Sequence, residues 1–176
     1  IPCEELKNEN NVFDVDVTKL IINVNNSGIT GKQLGDILRY KYNIEVEMDS
    51  LKYVLGITTI CDDYKELERL AEALKEIDKS LEEKQNENIS VELLKNKRMY
   101  SIYETDLKEK NTVNLFDSKD CISGEFVFLY PPGIPLVVPG EVITEELLEQ
   151  IKVYLEANMN ISGLKDNSNK TIEVVK

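Results

Sequence analysis

Glu125, Tyr130 and Glu141 are the side chains best placed by sequence to do chemistry, because they flank or enter the one stretch whose backbone shape is strongly dictated. A carboxylate can pair with a basic group, and a phenol hydroxyl can donate or accept a hydrogen bond. The stretch itself, 130–141, holds Pro131, Pro132, Pro135 and Pro139 together with Gly133 and Gly140. Each proline fixes φ and removes an amide donor, while the glycines admit positive φ. The segment therefore reads as a stiff connection that supplies a wall or a domain contact and makes no bonds. Each flanking residue also has a plainer use. Glu141 can accept from backbone amides near the last helix, Glu125 can be an exposed strand residue, and the Tyr130 ring can pack on the prolines. No catalytic, cofactor-binding or metal-binding residue is assigned in this chain.

Other groups offer less. Glu45 and Glu47 lie two apart on one strand face, a carboxylate pair for acid–base work or simply the solvent side of that strand. Gly28 and Gly31 precede a helix whose free amides favour an anion, or form a plain turn with a cap. Cys3, Cys61 and Cys121 are odd in number, far apart and accompanied by no histidine, so neither a zinc cluster nor a disulfide framework is indicated. Cys61 and Cys121 each neighbour a carboxylate, which works against a reactive role. The 33 acidic against 21 basic side chains give a net charge of -12, which repels a phosphate backbone and argues against nucleic acid as a partner. No apolar run approaches the roughly 20 residues that span a bilayer, and no basic region followed by an apolar stretch opens the chain. A reducing cytoplasm fits the cysteine usage best. The opening Ile1-Pro2-Cys3, without an initiator methionine, fits an excised fragment or a processed product.

The elements that must position these groups follow from periodicity. Thr18 to Val24 reads as a strand ended by Asn25-Asn26-Ser27-Gly28. Thr30 and Gln33 have the spacing of a capping box, and Leu34, Ile37, Leu38 and Lys41 share a helix face that Asn43 ends. Ile44 to Met48 alternates as a strand, and Tyr53 to Ile60 is a continuous apolar run of the kind buried on both faces. Asp63 and Glu66 cap a second helix with the stripe Leu67, Leu70, Ala71, Leu74, Ile77, Leu81. Strand, helix, strand, strand, helix specifies an α+β layer with helices on one face of a small sheet. The polar stretch 79–90 marks a boundary. Beyond it, 91–103 is weakly helical, Val113 to Phe116 and Gly124 to Tyr130 read as strands, and Thr144 caps a final helix bearing Leu147, Leu148, Ile151, Tyr154 and Leu155. The tail beyond Asn160 reads as polar and frayed.

The string YPPGIPLVVPGEVIT, beginning at Tyr130, resembles the signature near the C-terminus of the ornithine, lysine and arginine decarboxylase family. The segment from Asp16 to Asp63, with its Gly-Ile-Thr-Gly turn into a helix and its Ile-Glu-Val-Glu-Met strand, is similar to a further portion of the same family. The resemblance spans about Asp16 to Glu156. It departs around Tyr103-Glu104-Thr105, where the family often has an arginine and an alanine flanking the glutamate, and at 117–121, which is more polar.

The resemblance implies a small-domain α/β sandwich of the aminotransferase type over 1–85, a linker or helical connection over 86–112, and a small α+β C-terminal domain over 113–176. It also implies pyridoxal phosphate in the full-length enzyme, held on a lysine with one histidine beside it and another over the ring. This chain has no histidine. The expectation is therefore a C-terminal fragment of a basic amino-acid decarboxylase, a lyase of polyamine metabolism, with no cofactor bound by this chain. Its partner would be the missing N-terminal cofactor domain, within a homo-oligomer. Glu125, Tyr130 and Glu141 would face the substrate channel, and an apolar patch would mark where the absent domain docks. Two alternatives remain: a free-standing interaction or regulatory domain, and a small enzyme built on Glu45 and Glu47.

Overall fold

The computed structural model describes residues 12–81 and 94–176, divided between two compact units, Ile1–Glu87 and Asn88–Lys176. The expected boundary stretch and the first residues of the weakly helical one fall largely in 82–93, outside the described residues, as does Cys3.

In the first unit, β1 (Lys19–Asn23) pairs along its length with β3 (Tyr53–Ile57), and β3 pairs with the short β2 (Met48–Asp49), all antiparallel. Helix α1 (Gly31–Tyr42) begins at Thr30 with both halves of the expected capping box, and Asn43 ends it in the left-handed conformation at φ 53°. Helix α2 (Tyr64–Ser80) carries the same device from Asp63 and Glu66. The inner face of the sheet meets both helices through Val24, Leu34, Leu38, Val54, Ala73 and Ile77, with Ile22, Leu70 and Leu74 at the margin. Leu70, Leu74, Ile77 and Leu81 of the expected stripe on α2 pack in this core, whereas Ala73 is buried in place of the exposed Ala71, and Leu67 is exposed. The expectation that Tyr53 to Ile60 is buried on both faces is corrected. Val54 is fully buried, but Ile57 is exposed, and Ile21 on β1 is 69% exposed, because helices cover only one side of this sheet within the unit.

Thr30 illustrates how the helix start is held. Its hydroxyl accepts from the Gln33 amide at 3.1 Å, and the Gln33 side chain accepts from the Thr30 amide at 2.8 Å. Thr30→Ala should cost about 1 kcal/mol, read as a lower urea midpoint for the helical signal. A midpoint unchanged from the parent would mean that water replaces the hydroxyl at no loss.

The second unit begins before the expected domain start. Residues 94–112, expected as a connection, are built into it. Ser101 caps a short helix α3 (Ile102–Asp106), and β4 (Lys110–Asn114) pairs antiparallel with β8 (Thr171–Val175) over five residues. A 3-10 turn (Leu115–Asp117) follows β4, where a strand over Val113 to Phe116 was expected. β5 (Val127–Leu129) lies between β6 (Ile134–Val137) and β7 (Ile161–Ser162). Helix α4 (Glu145–Glu156), capped by Thr144, buries Leu147, Leu148, Ile151 and Tyr154. The tail is not frayed. Ile172 and Val174 are buried, and Asp166 accepts from the amides of Ser168, Lys170 and Thr171 to fold the approach to β8. Bonds from the Ser168 hydroxyl and amide hold the Asp166 carboxyl well below the usual carboxylate range. The stiff connection also contains a strand: 130–133 is the turn of a hairpin, and Pro135 lies in edge strand β6, where a missing amide is tolerated.

Candidate functional site

All three candidate side chains belong to the second unit, and the structure gives them different surroundings. Glu125 is 6% exposed. One of its carboxylate oxygens accepts from the Lys165 amide at 2.9 Å and the other from the Glu173 amide at 2.8 Å. Its carbonyl accepts from the buried Ser123 hydroxyl at 2.7 Å. Glu125 is thus neither an exposed strand residue nor a group turned toward solvent; it ties the loop before β8 and β8 itself to the start of β5. Sequence reasoning missed this because both donors come from the tail, 40 and 48 residues away.

Glu141 is half-buried, and its Oε2 accepts from the Val138 amide at 3.1 Å and from Asn96 Nδ2 at 3.2 Å. Asn96 also donates to the Leu136 carbonyl at 2.7 Å. These bonds close the return of the proline-rich segment onto 96–98, where Arg98 and Glu141 form an isolated bridge. Tyr130 is 56% exposed at the hairpin turn, and its amide donates to the Asn160 carbonyl at 3.0 Å. Pro131, Pro132, Gly133 and Pro135 are exposed beside it, whereas Pro139 and Gly140 are buried. The candidates are therefore spread between a buried clasp, a half-buried clasp and a projecting turn.

A concavity of about 640 Å³ in the same unit is lined by Ile102, Tyr103, Asp106, Lys110, Phe126 and Pro139, and also by Glu125 and Lys165. Lys110 and Asp106 are 3.5 Å apart across its rim. Lys165 pairs with Glu173 at 2.7 Å, and that carboxylate holds the ammonium pKa above its ordinary value. Exposed Tyr103 and Phe126 give it apolar walls. Such a surface can bind and orient; it holds no nucleophile with a base beside it. Sequence reasoning missed this surface; the Ser101 and Glu104 spacing, a capping box that places α3 and thus Ile102, Tyr103 and Asp106, is a signal that could have found it.

The amides of Gly31 and Lys32 donate to the carbonyls of Leu51 at 3.1 Å and Ser50 at 2.9 Å, so this helix start has no free amides there for an anion. Glu45 is held by Arg39, with Nε at 2.9 Å, whereas Glu47 is fixed, among the described residues, only through its backbone amide, which donates to the Leu55 carbonyl. Among the described residues, no three His, Cys, Asp or Glu side chains converge as a metal site, and no helix is long and apolar enough to cross a membrane.

Comparison with known proteins bears out the resemblance. Residues 82–167 match the model of the Orn/Lys/Arg decarboxylase C-terminal domain. The chain is 37% identical to the arginine decarboxylase of Bacillus subtilis (strain 168), over 93% of this chain and 34% of that protein. It is 32% identical to the arginine decarboxylase of Bacillus anthracis, over 99% of this chain and 36% of that protein. It thus spans about a third of the length of these relatives. Among solved structures, the Escherichia coli constitutive lysine decarboxylase matches with a TM-score of 0.71 at 16% identity, over 93% of this chain and 32% of that one. Lysine decarboxylase A from Pseudomonas aeruginosa matches with a TM-score of 0.68 at 17% identity, over 92% of this chain and 30% of that one. For the fold, these matches support a mixed helix-and-strand architecture. The aminotransferase-type domain is not in this chain, so the label expected for 1–85 is not carried over. Residues 82–167 thus match the C-terminal domain of the Orn/Lys/Arg decarboxylase family, and nearly the whole chain is similar in sequence to part of arginine decarboxylases and in fold to part of lysine decarboxylases.

Proposed function

We propose that this chain is the C-terminal part of a pyridoxal-phosphate-dependent decarboxylase that converts arginine, lysine or ornithine to its amine and carbon dioxide. The observation that carries this reading is a match over 93% of the chain to an arginine decarboxylase of which it covers 34%. When bound, pyridoxal phosphate supplies an electron sink for the charge left as carbon dioxide departs. The residues present here do not fit that cofactor. There is no histidine to stack on its ring, and the Gly31 and Lys32 amides that would take a phosphate are bonded to backbone carbonyls. The cofactor and the bond-breaking residues therefore belong to polypeptide outside these 176 residues.

In that enzyme the second unit contributes shape. The concavity walled by Tyr103 and Phe126 suits part of a substrate entrance, and subunit contacts within a homo-oligomer are the other role. The purified chain should release no carbon dioxide from arginine, lysine or ornithine, and should not develop the visible absorbance of a lysine-bound cofactor on mixing with pyridoxal phosphate. The complete product of the encoding gene should do both. Turnover by the 176 residues alone, or a complete gene product inert toward all three amino acids, would overturn the reading.

A further inference from the structure

Residues 126–140 form fifteen consecutive positions without a charged side chain, in a chain where 31% of residues are charged, and the Tyr130 hydroxyl is the one polar side-chain group among them. The middle of this run is the tip of the β5–β6 hairpin. Tyr130 is 56% and Ile134 43% exposed, and Pro131, Pro132 and Pro135 are exposed between and beside them. An apolar projection of this kind gains by leaving water, at roughly 25 cal/mol per Å² of apolar surface. It is also fixed in advance. The Gly133 amide donates to the Leu129 carbonyl at 2.8 Å, the Tyr130 amide to Asn160 at 3.0 Å, and β5 is paired on both sides. Three prolines in or beside the turn remove backbone freedom that docking would otherwise have to freeze.

We infer that this hairpin tip is a docking peg, and that its occupant is an apolar recess in the part of the decarboxylase polypeptide lying outside these 176 residues. The inference rests on the reading under Proposed function. Two observations select that occupant. The relatives are about three times the length of this chain, so most of the enzyme is available to receive the tip. A second copy of this chain is a poor receiver by strand addition, since Pro135 on edge strand β6 withholds the amide that strand-to-strand pairing between copies would use. Recognition must then come from the side chains of the tip.

The test uses the complete gene product with a photo-reactive benzoylphenylalanine in place of Tyr130. After irradiation and digestion, the cross-linked peptides should map to sequence outside residues 1–176. A companion variant, Ile134→Asp, should reduce the cross-link yield at least severalfold while the far-ultraviolet spectrum stays that of the parent. Cross-links confined to residues 1–176, of the same chain or of a second copy, would overturn the inference, and so would their absence. Carbon dioxide release is measured separately on the unsubstituted protein. Cross-linking outside 1–176 in a protein inert toward all three amino acids would sink the assigned reaction and leave the docking intact.

Discussion

Gly140→Ala should destabilise the second unit by about 4 kcal/mol, close to the largest cost of a single substitution. Two effects add. Gly140 sits at φ +93°, a region that L side chains rarely adopt, and a Cβ there would lie 2.3 Å from the Tyr100 carbonyl oxygen and 2.7 Å from Thr105 Oγ1. Neither neighbour can yield easily. Gly140 accepts through its carbonyl from the amides of Met99 and Tyr100 and donates to the Ser123 carbonyl, so the approach is set by backbone bonds. Thr105 is fully buried, and its hydroxyl is spent on the Ser101 carbonyl at 2.8 Å. Gly133→Ala separates the two effects. Gly133 has a similar φ of +101°, but nothing lies within 4 Å of the added carbon, so strain alone should cost about 1 kcal/mol. Urea unfolding of the two variants checks this. Equal losses would show that the close packing of Gly140 on Tyr100 and Thr105 carries no weight.

Removal of the Glu125 side chain comes second in size. Glu125→Ala leaves the amides of Lys165 and Glu173 without their acceptor at a buried site, and two orphaned donors should cost about 3 kcal/mol together. Glu125→Gln keeps one acceptor oxygen and offers an NH2 where the other stood, so it should lose about half as much. Hydrogen exchange gives the local readout. Exchange at Lys165 and Glu173 should quicken strongly in the alanine variant and at one of the two in the glutamine variant. Unchanged protection at both would mean that the clasp is incidental to holding β8 in place. The same experiment bears on function, since a buried carboxylate with a backbone amide on each oxygen is poorly placed to pair with a basic substrate.

Much of the first unit was legible because its signals are local. Thr30 with Gln33 and Asp63 with Glu66 are separated by three residues, and a capping box needs nothing further away to form. The strand at Lys19–Asn23 is announced by its own β-branched residues and by the turn after it. Two readings failed there: the strand expected over Ile44 to Met48 is reduced to Met48–Asp49, and the environment of the second face was not foreseen. A continuous apolar run such as Tyr53 to Ile60 looks the same whether one side or both are covered, and only the placement of both helices on one face left Ile57 and Ile21 open.

The second unit was read less well, because its order depends on partners far along the chain. Ile172 and Val174 form part of an alternating strand, but five residues gain little until β4, about sixty positions earlier, supplies the other half of the ladder. Glu125 and Glu141 could be picked out by type and neighbourhood. Whether each faced solvent or backbone depended on Lys165, Glu173, Asn96 and Val138.

The sequence by itself determined the helix caps, the lack of histidine chemistry, the rigid proline- and glycine-rich stretch at 130–141 and, through the string that begins there and the segment from Asp16 to Asp63, the resemblance to the family. Only the tertiary structure decided that Glu125 and Glu141 fasten the backbone while Tyr130 projects at a hairpin tip. The physical reason is one of range: capping, propensity and φ restriction act within a few residues, whereas burial and the choice of hydrogen-bond acceptor are settled when distant segments meet.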